Sequence, residues 1–293
     1  MRVAVTGATG RIGSKLVAAL RGRGDEVTVL SRSSGDVRWD PAARPAPSDA
    51  LRRRDAVVHL AGEDVAQRWS ADAKRRIRES RELGTRNLVA GLRALDDADR
   101  PHVLVCGSAS GYYGPHGAEK VTEAEPPGTD FLAEVCVAWE REAREAEALG
   151  VRVVRIRTGI VLDKEGGALA KMLPPFKLGV GGPVAGGDQW MPWIHLDDEV
   201  GIMLAALDGK GWSGPVNACA PTPVTNREFS KALGRALHRP AFAPVPALAI
   251  KALYGEMASI VTTGVRMIPA RATELGYAFA HPELDEALSS ALA

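Results

Sequence analysis

The sequence predicts an α/β fold, a doubly wound parallel sheet carrying a smaller, loop-rich lobe. Three observations lead there. Short β-rich apolar runs alternate with helical patterns from Met1 to about Ile160. A glycine-rich turn joins the first run to the first helix. After Ile160 the texture changes to long stretches rich in Gly and Pro.

In chain order, Val3-Ala4-Val5 reads as a buried parallel strand, and Leu16, Val17 and Leu20 as the apolar stripe of the helix after it. Glu26–Leu30 is the second strand, followed by the apolar runs Ala56–Leu60, Val103–Cys106 and Val151–Ile156. Between them, Leu88, Leu92 and Leu95 stand at i, i+4 and i+7 on one helical face. The acidic and basic stretch from Trp139 to Leu149 is a second helical pattern. Gly166-Gly167, Pro174-Pro175 and Gly179 to Gly187 mark long loops, which are rare in a compact domain unless they serve a function. Pro215–Cys219 reads as a strand that rejoins the sheet. Leu253, Met257, Ile260 and Val261 form a helical stripe, read as packing.

The first turn carries the chemistry. Gly7, Gly10 and Gly13 let the backbone approach a pyrophosphate, and the helix behind them offers unpaired N–H groups and a positive dipole end. Gly7, Thr9, Gly10, Arg11, Ile12 and Gly13 are the phosphate-binding candidates; a tight turn that binds nothing is the alternative. The second strand ends at Ser31-Arg32, where an NAD enzyme would place an acid for the ribose 2′-hydroxyl. An Arg there suits a 2′-phosphate, so NADP(H) is the expected cofactor, with Ser31 and Arg32 at its adenosine end. The expected organisation is a Rossmann-like dinucleotide-binding domain over 1–160, rejoined by about 190–224. Residues 161–189 and 225–293 would form the smaller substrate lobe.

Bulk properties narrow the partners. The 293 residues carry a net charge of +1 with acids and bases interspersed, and Arg52-Arg53-Arg54 is too short a run for a nucleic-acid surface. Cys106, Cys136 and Cys219 lie far apart, and the six histidines form no pair at ligand spacing, so no metal is expected. No apolar run approaches bilayer-spanning length and the chain starts on a strand, so a cytoplasmic location is expected. The expected partner is a small-molecule substrate of unidentified structure, with no nucleic acid and no membrane; a homodimer is left open.

Thr6-Gly-Ala-Thr-Gly-Arg-Ile-Gly13 resembles the signature of extended short-chain dehydrogenase/reductases. Asp55-Ala-Val-Val-His-Leu-Ala-Gly62 looks like their fourth-strand motif, and Gly107-Ser-Ala-Ser-Gly-Tyr-Tyr-Gly114 stands where they carry a catalytic Ser. Gly62-Glu63, Arg68-Trp69, Ser80-Arg81, Thr85, Arg157–Leu162, Gly181-Gly182, Gln189, Trp193–Asp198, Thr225 and Phe229 sharpen the likeness. Together they are similar to the epimerase-like atypical family of that superfamily, related to nucleotide-sugar epimerases. The resemblance adds Leu60, Ala61, Gly62 and Arg157 to the cofactor-binding candidates, and Trp69, Gln189 and Trp193 as substrate-pocket candidates, with simple burial as the alternative for Trp193.

One departure concerns catalysis. The usual Tyr-x-x-x-Lys pair would fall on Phe131-Leu-Ala-Glu-Val-Cys136, so Leu132 or Phe131 stands for the Tyr and Cys136 or Val135 for the Lys. Neither Leu nor Phe can transfer a proton. The replacement candidates are the hydroxyls of Ser108, Ser110, Tyr112 and Tyr113, with simple packing as the alternative for the tyrosines. Glu63 reads as a candidate base or as a surface carboxylate. Two functions follow: an NADP(H)-dependent oxidoreductase or epimerase with a relocated proton donor, or a non-catalytic NADP(H)-binding sensor or partner-binding protein.

Overall fold

The computed structural model describes all 293 residues. Its first half alternates strand and helix: β1 (Arg2–Thr6), α1 (Arg11–Gly22), β2 (Glu26–Ser31), β3 (Val37–Arg38), the single turn α2 (Ser48–Leu51), β4 (Ala56–His59), α3 (Ala71–Arg93), β5 (Val103–Ala109), β6 (Lys120–Val121), α4 (Phe131–Arg144) and β7 (Arg152–Thr158). Then come β8 (Ile160–Leu162), α5 (Gly167–Lys177), β9 (Trp190–Met191), β10 (Trp193–His195), α6 (Leu196–Asp208) and β11 (Gly214–Ala218). The chain closes with β12 (Val224–Thr225), α7 (Asn226–Ala236), α8 (Ala247–Tyr254), α9 (Ser259–Thr262), β13 (Arg266–Met267), α10 (Ala270–Glu274) and α11 (Leu284–Leu292).

Seven strands form one parallel sheet in the order β11-β7-β5-β4-β1-β2-β3. The order reverses between β1 and β4, the switch point outside whose carboxyl ends open sheets of this kind bind ligands. Side chains alternate across the sheet with period two. Val3, Val5, Ala56, Val58, Val103, Val105, Val154 and Ile156 pack against Leu16, Val17 and Leu20 of α1 and Val200, Ile202 and Met203 of α6. The intervening residues Ala4, Val57, Leu104, Cys106 and Val153 pack on the opposite face, against Leu88, Val89 and Leu92 of α3 and Trp139 and Ala143 of α4. Burial on both faces is why these strands read as unbroken apolar runs.

A third core joins Leu169, Leu173 and Phe176 of α5 to Phe229, Ala232 and Leu233 of α7 and Ala287 and Leu288 of α11. It also takes in Met191 and Trp193. Gly214–Ala218 joins the main sheet beside β7, where Pro215–Cys219 was expected to rejoin it, while β10 pairs with β8 and β9 with β12 in separate two-stranded sheets. The expected packing stripe at 253–261 is also broken. Gly255 adopts φ +63° between α8 and the following turn, so Met257 is buried while Leu253 remains exposed. No helix is long and apolar enough to cross a membrane.

Candidate functional site

The crevice at the β1/β4 switch point is built from backbone. Gly7 sits at φ +73°, and an added Cβ would meet the backbone of Leu60 and Ala61 at 2.6–2.8 Å. At Gly13 a Cβ would stand 2.2 Å from the Gly7 carbonyl oxygen. The glycines therefore hold the turn close to both the start of α1 and the end of β4. Because α1 begins at Arg11, the N–H groups of Arg11, Ile12 and Gly13 have no partner inside the helix and face the turn. Thr9 and Gly10 are exposed at its rim. This is an anion cradle, which fits the diphosphate of a dinucleotide.

The Arg11 side chain is engaged elsewhere. Its guanidinium donates to Asp163 from Nε at 2.5 Å and from Nη2 at 3.1 Å, and to Glu165 at 2.6 Å. These bonds tie α1 to the loop after β8 and leave the Arg11 backbone N–H and Nη1 without a partner in the protein. At the tip of β2, Ser31 is half-buried and Arg32 is exposed, with no hydrogen-bond or ion-pair partner in the protein. The sequence put no acid at this tip. The structure folds one back: the Asp36 carboxylate accepts the Val29 N–H at 2.8 Å. That bond occupies one carboxylate oxygen and leaves Arg32 unpaired.

Four hydroxyls were expected on the loop after β5, and the structure divides them. Ser108 is buried in β5, and its hydroxyl donates to Glu140 Oε1 at 2.7 Å. Glu140 also accepts from Arg157 Nε at 2.8 Å, Arg157 Nη2 at 3.0 Å and Arg155 Nη1 at 3.2 Å. Arg157 Nη1 donates to the Tyr113 hydroxyl at 2.9 Å, and that hydroxyl donates to Asn217 Oδ1 at 2.5 Å. Burial works against the Arg157 charge, but the hydrogen bonds and charge of Glu140 outweigh it and hold the guanidinium protonated. Burial pushes the Tyr113 phenol well above its usual range.

This network corrects three expectations. Ser108 and Tyr113 spend their protons on internal acceptors, and Arg157, 2% exposed, is committed to Glu140 rather than to a cofactor. They hold β5, β7 and α4 together around a desolvated charge. Ser110 and Tyr112 remain. Both are half-buried in the turn Ser110–Tyr113, and neither hydroxyl has a protein partner. The Tyr112 ring lies over the Arg157 guanidinium, 3.4 Å from Cζ to the ring centroid.

Helix α4 shows why the usual dyad is absent. Asp130 caps its start, accepting the Ala133 N–H at 2.9 Å. Leu132 and Cys136, one turn apart, then face Gly111: a Cβ there would meet Leu132 at 3.1 Å and Cys136 Sγ at 3.9 Å. An aliphatic chain and a thiol thus occupy the wall beside the loop. Burial and the Glu140 charge push the Cys136 thiol up to about 12, so it stays protonated and unreactive.

The pocket candidates also divide. Trp193 is 1% exposed in the third core and donates Nε1–H to the Thr222 carbonyl at 3.1 Å, so it packs rather than walls a pocket. Gln189 donates both amide protons to the carbonyls of Val184 and Val261, at 3.1 and 2.8 Å, and thereby ties the loop before β9 to α9. Trp69 keeps a half-exposed ring edge-on to Phe131, with centroids 5.1 Å apart, on the segment leading from Gly62 into α3. Glu63 shares the protons of Gln67 and lies 3.5 Å from Arg76 Nε, which marks it as an ion-paired carboxylate.

Two features escaped the sequence. Glu199 of α6 is fully buried, accepts from Thr158 Oγ1 at 2.7 Å, and is pushed up to about 8 by desolvation. His195 and His281 stack with centroids 3.8 Å apart beside Asp197. The Asp197 carboxylate is itself paired with Lys15 at 3.2 Å, and His195 Nδ1 accepts the Asp197 N–H at 3.1 Å. No spacing in the sequence relates two histidines so far apart.

Comparison with known proteins places this geometry. The NAD dependent epimerase/dehydratase family matches residues 3–218, and a domain of unknown function matches residues 245–291. The chloroplastic SDR39U1 homolog of Arabidopsis thaliana, an epimerase family protein, is 41% identical over 98% of this chain and 86% of its own length. The crystal structure of human epimerase family protein SDR39U1 with NADPH superposes with a TM-score of 0.90 at 36% identity, covering 99% of this chain and 98% of that one. A nucleoside-diphosphate sugar epimerase from Corynebacterium glutamicum gives a TM-score of 0.80 at 36% identity over all of this chain and 58% of its own.

Proposed function

The chain belongs to the NAD-dependent epimerase/dehydratase family, and from that premise we propose that it binds NADP(H) across the β1/β4 switch point and acts on a small molecule as an oxidoreductase or epimerase. The observation that carries the cofactor reading is Arg32, an unpaired guanidinium at the tip of β2 beside the Gly7–Gly13 cradle. Its planar fork matches a 2′-phosphate. The relative solved with NADPH supports the same reading.

When bound, the nicotinamide supplies hydride transfer. The chain's own part is to hold the diphosphate on the N–H groups of Arg11, Ile12 and Gly13, to hold the 2′-phosphate on Arg32, and to move a proton. For that proton the two hydroxyls without internal acceptors, Ser110 and Tyr112, stand at the end of β5. Trp69 is the remaining candidate for the substrate wall. A second reading, a binding protein without turnover, draws on Leu132 and Cys136, which put no proton carrier at the usual position.

Titration of nicotinamide fluorescence tests the cofactor reading. Wild type should prefer NADPH to NADH. Arg32→Ala should lose about 1.5–3 kcal/mol of NADPH binding, roughly 10- to 100-fold, with little change for NADH. Equal wild-type affinities for the two cofactors would refute the assignment. Once bound NADPH is shown to be oxidised by any carbonyl substrate, the second reading falls.

A further inference from the structure

Helix α3 carries six arginines, and five of them meet carboxylates. Arg75 and Arg76 pair with Asp72, Arg78 with Glu134, Arg86 with Glu142 and Arg93 with Glu145. Arg81 meets none, although it is the one turned inward. Its Nη1 donates to the carbonyls of Glu63 at 2.9 Å and Ile77 at 3.2 Å. Its guanidinium lies over the Trp139 ring, 5.1 Å from the centroid, and against Gly62, where an added Cβ would stand 3.1–3.3 Å from Cζ, Nη2 and Nη1. Nε and Nη2 have no acceptor in the protein, yet neither is sealed from solvent. One edge of the fork is therefore anchored and the other is open.

An inward guanidinium without a counter-ion is costly, because desolvation is not offset by an opposite charge. Its position says what would offset it. Gly62 lies just past Leu60 and Ala61 after β4, across the switch point from the Gly7–Gly13 turn, on the side away from Arg32 and β2. A dinucleotide laid across that crevice puts its adenosine at β2 and its nicotinamide half at β4 and β5. Arg81 also lies beside Cys136, the position at which the usual lysine is missing.

We propose that Arg81 supplies from α3 the cation missing from α4, its open Nε/Nη2 edge binding phosphate and ribose oxygens of the nicotinamide half of the cofactor. The proposal rests on the NADP(H) reading above. It makes Arg81 a binding residue at the opposite end of the cofactor from Arg32, and it accounts for Gly62, since any side chain there would displace the guanidinium.

The test compares NADPH with 2′,5′-ADP, which lacks the nicotinamide half, by calorimetry on wild type, Arg81→Met and Arg81→Lys. Arg81→Met keeps an apolar stem over Trp139. It should weaken NADPH about tenfold or more, the scale of one charged hydrogen bond, and leave 2′,5′-ADP within about twofold. Arg81→Lys keeps the charge and should retain most of the NADPH affinity, which also covers the case in which the Met variant does not fold. Unchanged NADPH affinity in Arg81→Met, or equal weakening of both ligands, overturns the proposal while the cofactor reading stands. Wild type that binds neither ligand overturns both.

Discussion

Glu199→Gln should change how stability depends on pH, and the direction follows from burial. Glu199 lies fully inside the fold near Cys219 and Tyr277, with one carboxyl oxygen held by Thr158 and the other without a partner. Desolvation raises it from an ordinary 4.5 to about 8. The folded protein therefore keeps a proton that the unfolded chain releases above pH 4.5. Where the unfolded state binds fewer protons, stability falls as pH rises; here it falls between 4.5 and about 8 and then levels off. At about 1.4 kcal/mol for each pH unit, the full interval corresponds to at most about 5 kcal/mol, and the stretch from 6.5 to 8 to about 2 kcal/mol. Gln keeps the acceptor for Thr158 and never ionises. Its N–H₂ lacks a partner, as does the O–H of the protonated acid, so that defect cancels. Urea denaturation at intervals from pH 5 to 9 should show the variant gaining on wild type by about 2 kcal/mol between pH 6.5 and 8. Parallel wild-type and variant profiles would show that Glu199 is ionised in the fold, and the argument from burial would fail.

Two further outcomes are expected. Gly13→Ala forces a Cβ to 2.2 Å from the Gly7 carbonyl oxygen, so the turn must open; chemical denaturation should show a loss of about 1–3 kcal/mol. Gly22→Ala, with nothing within 4 Å, is the control and should be neutral or mildly stabilising by up to about 1 kcal/mol. With any turned-over substrate, Ser110→Ala or Tyr112→Phe should cost roughly a hundredfold in rate with NADPH affinity retained. If both keep wild-type rates, the proton comes from outside the β5 loop.

Helix α3 shows where the sequence is legible and where it stops. Leu88, Leu92 and Leu95 are spaced for one face, and all three are buried under the sheet. The same spacing puts Arg81, seven residues before Leu88, on that buried face and leaves Arg78 and Arg86 off it, but it does not show what Arg81 meets there. The same helix gives each a similar charge, and only the neighbours contributed by β4 and α4 decide which finds a carboxylate. Helix α4 repeats the lesson. Counting from Glu140 puts Leu132 or Phe131, and Cys136 or Val135, on the missing dyad, but that Glu140 itself sits in a buried charge network with Arg155 and Arg157 could not be counted out.

The sequence by itself determined what depends on neighbours along the chain: the parallel sheet from its unbroken apolar runs, the tight turn from Gly7, Gly10 and Gly13, an Arg rather than an acid after β2, and the absence of Tyr-x-x-x-Lys. Each is set by local backbone freedom, local periodicity or the identity of a single residue. Tertiary structure alone decided which polar groups are used up. Ser108, Tyr113 and Arg157 satisfy one another, Trp193 and Gln189 hold the third core and its loops, His195 meets His281, and Ser110, Tyr112 and Arg81 keep unspent hydrogen-bonding capacity. The reason is physical: a hydroxyl or guanidinium is available for chemistry only if the fold brings it no internal partner, and those partners come from strands and helices far away in the chain.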